Sequence, residues 1–482
     1  MFLLALLPIA VLILFSLLRS VREAALLGLV VTSGLFFYWG APVAQYLAVM
    51  GVSVVSTLNI LMIVFGALFL YNVMQGTGLV EQIGQSLEQI HPSKEIRFFL
   101  LALGLTAFFE GVAGFGTPGA IVPLLLMAMG YDALVSVAVV LLFDGLFAIF
   151  GAVGTPLLTG MQHPLRLPPD QVRQIGLWAA VIGVLVQGAL LFFVFRFLRN
   201  AQTPVRHKAQ VWVLFSFFAV PFCGFAWWVT DLATVLAALA MLVLSVLYLR
   251  SKGTRLQVGP WVPYVLLAGL LLLPKLWGGL QQVLGWELRF HHLFGTGIST
   301  GLRPLLSPLF PFLLVGGVVA LYQKSRTFYL AEAGKKTAMV SLVLFPSIMI
   351  AQLMIHSGGV QPSMVNYISG MMGRLQGGYV LFSPFLGILG AFITGSTTVS
   401  NVVFAPSQLE TAQLLKVNAT VILALQLVGA GLGNAICLFN IVAAASIANL
   451  KDYKEVLRLN LLPALVAGFL AGALGWLLLW LL

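Results

Sequence analysis

The sequence predicts an all-α polytopic membrane protein, with about twelve transmembrane helices and two re-entrant helical hairpins in inverted repeats. Hydrophobic residues make up 60% of the 482-residue chain and charged residues only 8%, which is typical of proteins that cross a membrane many times. The apolar residues fall into separate runs of spanning length, and two further runs are interrupted by glycine and hydroxyl residues. This pattern leaves no room for a sizeable soluble domain.

Charge and cysteine content argue against several other classes. The formal net charge of +11 does not indicate a nucleic-acid-binding protein, because the basic residues lie in short loops between apolar runs. Cys223 and Cys437 both lie inside apolar runs, so we expect no disulfide framework, no metal site and no cofactor. Residues 2–17 are interpreted as the first span rather than a signal peptide, because no basic segment precedes them.

The apolar runs are long enough to cross a bilayer as helices. The segment 41–54 is ambiguous, with an interfacial position as the alternative. The twelve predicted spans are, in chain order, 2–18, 23–38, 55–74, 131–150, 174–198, 209–228, 230–250, 259–276, 305–323, 337–355, 419–437 and 460–481.

Two other apolar segments, 98–129 and 378–413, are broken midway and are interpreted as hairpins that enter and leave on one side. Irregular backbone inside a bilayer is stable only where it is buried in protein or lines an aqueous cavity. We expect Thr117 to cap the helix after the first break, with Pro118 in its first turn. Free N–H groups would then face the break and favour an anion. The simpler alternative is a tight glycine turn in which Glu110 is only hydrogen-bonded.

Basic residues predict the orientation. If the spans alternate, one side of the membrane holds 18 of the 25 lysine and arginine residues. That side is predicted to be cytoplasmic, and both termini of this plasma-membrane protein are then outside. The other side holds the remaining seven, which are Arg166, Arg173, Lys275, Arg289, Arg303, Arg374 and Lys416.

A weak internal repeat sets the predicted domain organisation. Each repeat contains one hairpin followed by two spans, and the two hairpins enter from opposite sides, as in inverted-repeat secondary transporters. The predicted parts are N-terminal scaffold helices at 1–54, repeat 1 at 55–198, middle scaffold helices at 199–336 and repeat 2 at 337–482. By analogy with such folds, a mobile transport unit beside a scaffold suggests a homodimer.

Only two acidic residues, Glu110 and Asp144, lie well inside apolar stretches. A carboxyl group in that position can take up and release a proton, so both are candidates for proton coupling. For Asp144 the alternative is a structural hydrogen bond. His356 is a third candidate as a proton relay, and an interfacial structural histidine is the alternative.

The second hairpin offers hydroxyl and amide groups and no Lys or Arg at its break. Helix N-termini and neutral donors of this kind can hold a carboxylate, and the same oxygens can coordinate Na⁺. The candidate substrate-binding residues are Gly114, Phe115, Gly116, Thr117, Thr394, Gly395, Ser396, Thr397, Ser400, Asn401, Gln426 and Asn434.

Several motifs resemble the L-lactate permease family, whose members are proton-coupled importers of lactate and glycolate. The string Glu110-Gly-Val-Ala-Gly-Phe-Gly-Thr-Pro118 is the most specific. Phe150-Gly-Ala-Val-Gly154, Thr394-Gly-Ser-Thr-Thr-Val-Ser-Asn401 and Leu409-Glu-Thr-Ala412 are also similar to the family. The resemblance covers most of the chain from about residue 55 onward.

The chain departs from the family pattern at several positions. The family usually has Asp where Thr397 stands and Lys where Asn434 stands. This chain therefore lacks both members of that acid–base pair. It commonly has Asn at the positions of Asp144 and Gln426, and Ser-Pro-Gln at 437–439. These differences indicate a divergent member, with a titratable group moved into the first repeat.

The resemblance implies import of a small organic anion, most directly a lactate- or glycolate-type monocarboxylate, by proton symport with alternating access. The alternatives are Na⁺ coupling, a passive channel, or an exporter for a different small organic anion. An enzyme is not expected, because no His-Glu-x-x-His motif or paired catalytic aspartates occur in a span. The expected partners are the anion, a proton and membrane lipid.

Overall fold

The computed structural model describes residues 1–88, 91, 93–114, 116–249, 259–324, 329–359 and 361–482. It is almost entirely helical, as the composition predicts. Within these residues nine helices are long and apolar enough to cross a membrane, or ten if a pair bent at residues 275–277 is one span. The protein is therefore an all-α, multi-pass integral membrane protein.

The chain forms two compact units. The first comprises Met1–Glu81 and Val258–Arg374. It contains one two-stranded antiparallel sheet, in which Leu288 pairs with Leu302. Its α-helices and strands are Phe2–Leu18, Val21–Tyr38, Val43–Gly76, Val262–Leu276, Gly278–Leu284, Leu288–Phe290, Thr300–Leu302, Leu309–Tyr322, Tyr329–Ile355 and Met364–Met372; the helix Leu79–Glu88 crosses the boundary to the second unit.

The second unit comprises Gln82–Gln257 and Leu375–Leu482. It contains both predicted hairpins. Its α-helices are Lys94–Phe99, Thr106–Val112, Thr117–Ala128, Ala133–Phe147, Gly151–Leu157, His163–Leu165, Pro169–Asn200, Lys208–Trp228, Ala233–Leu249, Tyr379–Thr394, Thr397–Leu414, Ala419–Asn434, Leu438–Ile447 and Lys454–Leu481, with π-helical turns at Leu100–Leu105 and Leu158–Gln162.

The predicted count of twelve spans is not confirmed. The predicted spans at 2–18 and 305–323 form helices of 17 and 14 residues, Phe2–Leu18 and Leu309–Tyr322. Conversely, the ambiguous segment 41–54 belongs to a continuous helix of 34 residues, Val43–Gly76. At 1.5 Å per residue this helix is roughly 50 Å long, which is more than a bilayer core requires.

The arms of hairpin 1 (residues 94–128) run antiparallel. Lys94 Nζ, at its start, lies 3.4 Å from the carbonyl oxygen of Gly130, just beyond its end. The rings of Phe98 and Tyr131 are 4.6 Å apart between centroids. Since residues about 35 positions apart meet here, the chain returns to the side from which it entered.

Hairpin 2 (residues 379–414) has the same antiparallel form. Near its open end, Ser383 Oγ donates to Gln408 Oε1 at 2.9 Å, and Gln408 Nε2 donates to the Ser383 carbonyl at 2.8 Å. Nearer the tip, Ser400 Oγ donates to the carbonyl of Gly387 at 2.8 Å. Polar side chains thus fasten the two arms along their length.

Each hairpin is followed by a helix that is itself broken. Broken helix 1 (Ala133–Leu165) has a kink within residues 148–154, and broken helix 2 (residues 419–447) is interrupted at residues 435–437. The carbonyl of Phe147 accepts from Thr234 Oγ1 at 3.0 Å, and that of Ala435 accepts from Asn460 Nδ2 at 3.0 Å. Side chains of neighbouring helices therefore satisfy backbone groups at each break, as an apolar surrounding requires.

Glycines in broken helix 2 allow its neighbours to approach closely. A Cβ at Gly429 would collide with the carbonyl oxygen of Pro384, in the first arm of hairpin 2. A Cβ at Gly431 would collide with the carbonyl oxygen of Gly145, in broken helix 1. Small residues at such contacts are what allow membrane helices to pack backbone to backbone.

We expect Gly429→Ala to lower the thermal stability of the purified protein, because backbone at Pro384 cannot yield as a flexible side chain does. Overpacking of this kind costs about 1–3 kcal/mol. Intrinsic fluorescence during heating in detergent measures the change. Gly224→Ala is the matched control, since no atom of the described residues lies within 4 Å of its new methyl group. Equal losses in both variants, or none in either, would contradict the packing argument.

Candidate functional site

All four breaks of the second unit meet around one cavity with a volume of about 30 Å³. Its position shows that both hairpin tips and both broken helices contribute to the same space. The lining residues are Glu110, Gly114 and Gly116 of hairpin 1; Ala148, Gly151, Ala152, Thr155 and Pro156 of broken helix 1; Gly395, Ser396, Thr397 and Thr398 of hairpin 2; and Asn434 and Asn440 of broken helix 2.

The breaks place the beginnings of helices at this central cavity. Thr397–Leu414 begins there with Ser396 as its N-cap, whose Oγ accepts from the Val399 N–H at 3.3 Å. Leu438–Ile447 begins three residues after the first half of broken helix 2 ends. The first N–H groups of a helix have no intrahelical partner and carry partial positive charge. They can therefore bind an anion.

The helix after the first break begins at Thr117, as the sequence predicts, with Pro118 in its first turn. The predicted cap is wrong, however, because the N-cap position is occupied by Gly116. Gly116 has φ of +77°, a left-handed conformation that strongly favours glycine. The reversal at the tip of hairpin 1 thus depends on this glycine.

Broken helix 1 turns through three successive left-handed residues. Ala152 and Val153 have φ of +42° and +57°, and Gly154 has φ of +74°. Such a conformation strains residues that carry a Cβ, and it persists only where the surroundings enforce it. Here the tip of hairpin 1 packs against the turn, since a Cβ at Gly114 would lie 2.8 Å from the Ala152 Cβ.

Glu110 and Asp144 form a buried pair of carboxyl groups. Both residues are at most 4% exposed, and their side chains are in hydrogen-bonding contact. Gly151 makes room for this pair, because a Cβ there would collide with Glu110 Oε1. Two ionised carboxylates in contact would repel strongly away from water, so the pair shares at least one proton.

Asn434 joins the carboxyl pair to the cavity. It lines the cavity, and its side chain is also in hydrogen-bonding contact with Asp144. Thr397 Oγ1 lies 3.5 Å from the carbonyl oxygen of Ala430, one helical turn before Asn434. Thr397 and Asn434 therefore lie close to each other at the cavity.

Three predicted substrate residues lie outside the cavity lining and are hydrogen-bonded within the protein. Ser400, Asn401 and Gln426 are fully buried, and none of them lines the cavity. Gln426 Nε2 donates to Asn401 Oδ1 at 3.2 Å and Gln426 Oε1 accepts from Gln408 at 2.9 Å. Asn401 Nδ2 in turn donates to the Pro156 carbonyl at 3.0 Å. This polar network connects hairpin 2 to broken helix 1.

The remaining predicted residues are placed as follows. Thr394 is the last residue of the first arm of hairpin 2, and its Oγ1 donates to the Gly390 carbonyl at 2.8 Å. Phe115 lies outside the described residues. His356 belongs to the first unit, where its carbonyl accepts from Gln45 Nε2 at 2.7 Å. Of the residues predicted from the sequence, Glu110, Gly114, Gly116, Gly395, Ser396, Thr397 and Asn434 line the cavity.

Sequence reasoning missed the contribution of broken helix 1. Its lining residues Thr155 and Pro156 follow Gly154, which repeats the Gly-Thr-Pro order of residues 116–118. That repetition of a helix-start pattern was the available signal. Asn440 was also missed, and no comparable pattern marks it in the sequence.

Comparison with known proteins identifies a family and several relatives of this chain. The L-lactate permease family pattern matches residues 1–256 and 305–482. A putative L-lactate permease of Haemophilus influenzae is 25% identical, over 86% of this chain and 85% of its own length. A glycolate permease of Escherichia coli is 23% identical, over 85% and 82% respectively. Among solved structures, the YdaH transporter of Alcanivorax borkumensis is similar with a TM-score of 0.46 and 16% identity, covering 89% of this chain and 86% of that one.

The family match is not confined to one motif. It extends over both hairpins, both broken helices and most of the surrounding helices. It also includes the four breaks whose residues line the central cavity. The chain therefore belongs to the L-lactate permease family.

Proposed function

We propose that this protein imports a small 2-hydroxy monocarboxylate of the lactate or glycolate type by proton symport with alternating access. The observation that carries this proposal is the position of Glu110, which both lines the central cavity and contacts Asp144. A substrate anion in the cavity would thus lie next to the group that holds a proton. Symport requires this kind of mutual dependence between two bound species.

The lining of the cavity supports a small anionic substrate. Glu110 is the only ionisable side chain among the described lining residues, and none of them is Lys or Arg. A carboxylate would be held by helix N-termini and by hydroxyl groups, such as those of Ser396 and Thr397. We infer an acid of two or three carbons because relatives of this chain are named lactate and glycolate permeases.

The carboxyl pair supports coupling to protons. A pair with one shared proton is negatively charged, so it opposes the entry of an anion into the adjacent cavity. A second proton neutralises the pair and removes that repulsion. Substrate binding and protonation therefore favour each other, which is the thermodynamic condition for cotransport.

We expect Glu110→Gln to abolish accumulation of labelled lactate driven by an imposed pH gradient in proteoliposomes. Exchange of internal for external lactate should survive, because an amide keeps the shape of the side chain but exchanges no proton. Asp144→Asn should be milder, since an amide is common there in the family. The measurement is uptake with a pH gradient alone, compared with exchange at equal pH.

Asp170→Asn is the control for this experiment, because Asp170 is an exposed acid outside the cavity, with 89% of its side chain accessible. It should retain both activities. Accumulation by both Glu110→Gln and Asp144→Asn under a pH gradient alone would show that neither carboxyl carries the proton. Accumulation driven by a Na⁺ gradient would then identify Na⁺ as the coupling ion.

A second prediction concerns the lost acid–base pair. Thr397→Asp and Asn434→Lys should each impair transport strongly, because each places a lone charge beside the cavity. The double variant should recover part of the activity, with a coupling energy of roughly 0.5–3 kcal/mol, as for side chains in contact. Transport rates of the four proteins in one double-mutant cycle measure it. Simple additivity would show that the two positions do not interact.

A third prediction tests the proposed orientation. In a variant without Cys223 and Cys437, we introduce single cysteines at Lys94, Lys335 or Arg289. The first two should be protected from an impermeant thiol reagent in intact cells, and the third should react, because the basic loops face the cytoplasm. Labelling at Lys94 without labelling at Arg289 would reverse the orientation.

A further inference from the structure

Asn434 is a buried amide that lines the central cavity and leaves one hydrogen-bonding atom unpaired among the described residues. It is 7% exposed and lines the central cavity at the end of the first half of broken helix 2. Its side chain contacts Asp144, yet its Oδ1 has no hydrogen-bond partner among the described residues. A buried acceptor without a donor costs free energy, so such an atom in a binding cavity requires a ligand that completes it.

The neighbouring polar groups do not need a hydrogen-bond donor from a ligand. Glu110 Oε2 and Asp144 Oδ1 are also buried without partners in the described part of the chain, but a carboxyl oxygen can itself carry a proton. Thr155 Oγ1 donates to the Gly151 carbonyl at 3.3 Å, and Ser396 Oγ already accepts from a backbone N–H. The amide oxygen of Asn434 can only accept, so a ligand that donates a hydrogen bond would complete it.

We propose that Asn434 determines specificity by accepting a hydrogen bond from the C2 hydroxyl of the substrate. This inference rests on the proposed function and assigns one part of the substrate to one atom of the cavity. A carboxylate has no proton to donate at neutral pH, and a 2-oxo group only accepts. Of the polar groups on a small 2-hydroxy acid, the hydroxyl alone can satisfy Oδ1.

This geometry predicts how the protein discriminates among acids of similar size. An acid without a donor at C2 leaves Asn434 Oδ1 unpaired, and an unpaired buried acceptor weakens binding by about 10- to 100-fold. Propionate, pyruvate and 2-fluoropropionate belong to this group. In 2-fluoropropionate, fluorine replaces the hydroxyl at nearly equal size but cannot donate.

The test is competition against uptake of labelled L-lactate by wild-type proteoliposomes under a pH gradient. Unlabelled lactate and glycolate should inhibit at concentrations about 10- to 100-fold lower than propionate or 2-fluoropropionate. In Asn434→Leu, whose new side chain has a similar volume, lactate should bind more weakly and propionate should bind as before. The two acids should then inhibit uptake at equal concentrations. Asn440→Leu is the matched control, because it removes the other amide that lines the cavity. It should weaken the binding of lactate and propionate to the same extent.

Equal inhibition by lactate and 2-fluoropropionate in the wild type would overturn the inference, and so would undiminished discrimination in Asn434→Leu. If that variant no longer transports, thermal stabilisation of the purified protein by each acid gives the same comparison. The proposed function fails separately, when the wild type accumulates no 2-hydroxy acid. Lactate accumulation without hydroxyl discrimination would leave the function standing and remove only the role of Asn434.

Discussion

A helix that ends inside a membrane leaves backbone amide and carbonyl groups without partners, and lipid cannot replace them. The second unit contains four such interruptions, and it gathers them around one cavity. Side chains from other helices satisfy the freed carbonyls, as Thr234 does for Phe147 and Asn460 for Ala435. The amide ends that remain face the space where a ligand can bind. The candidate binding site thus follows from the way the backbone groups at the breaks are satisfied.

The same constraint explains why so much of the surrounding packing is polar or glycine-rich. Asn401 connects hairpin 2 with broken helix 1, and Gln426 connects hairpin 2 with broken helix 2. Gly429 and Gly431 bring backbones into contact where a methyl group would collide. These residues hold the broken helices and hairpins together around the cavity, although they do not line the cavity themselves.

Much of this arrangement could be predicted from the sequence. A glycine-rich break at 111–116 and a break rich in Ser and Thr at 394–401 predicted both hairpins, and the two acids deep in apolar runs proved to be in contact. Broken helix 1 was missed because Ala152 and Val153 adopt left-handed conformations that their residue types do not signal. Asn401 and Gln426 were assigned to substrate because hydropathy indicates depth in the membrane, and not the direction in which a side chain points.

The absence of Lys and Arg from the described cavity lining has an electrical consequence. With one shared proton, the empty carboxyl pair of Glu110 and Asp144 carries a single negative charge. With a second proton and a bound monocarboxylate, the total is again a single negative charge. The membrane potential changes the free energy of a charge by about 2.3 kcal/mol per elementary charge per 100 mV. This electrical contribution is therefore the same for the empty and the loaded carrier. Under the proposed proton symport, no net charge crosses the membrane in a full cycle, so the pH difference would drive accumulation and the membrane potential would not.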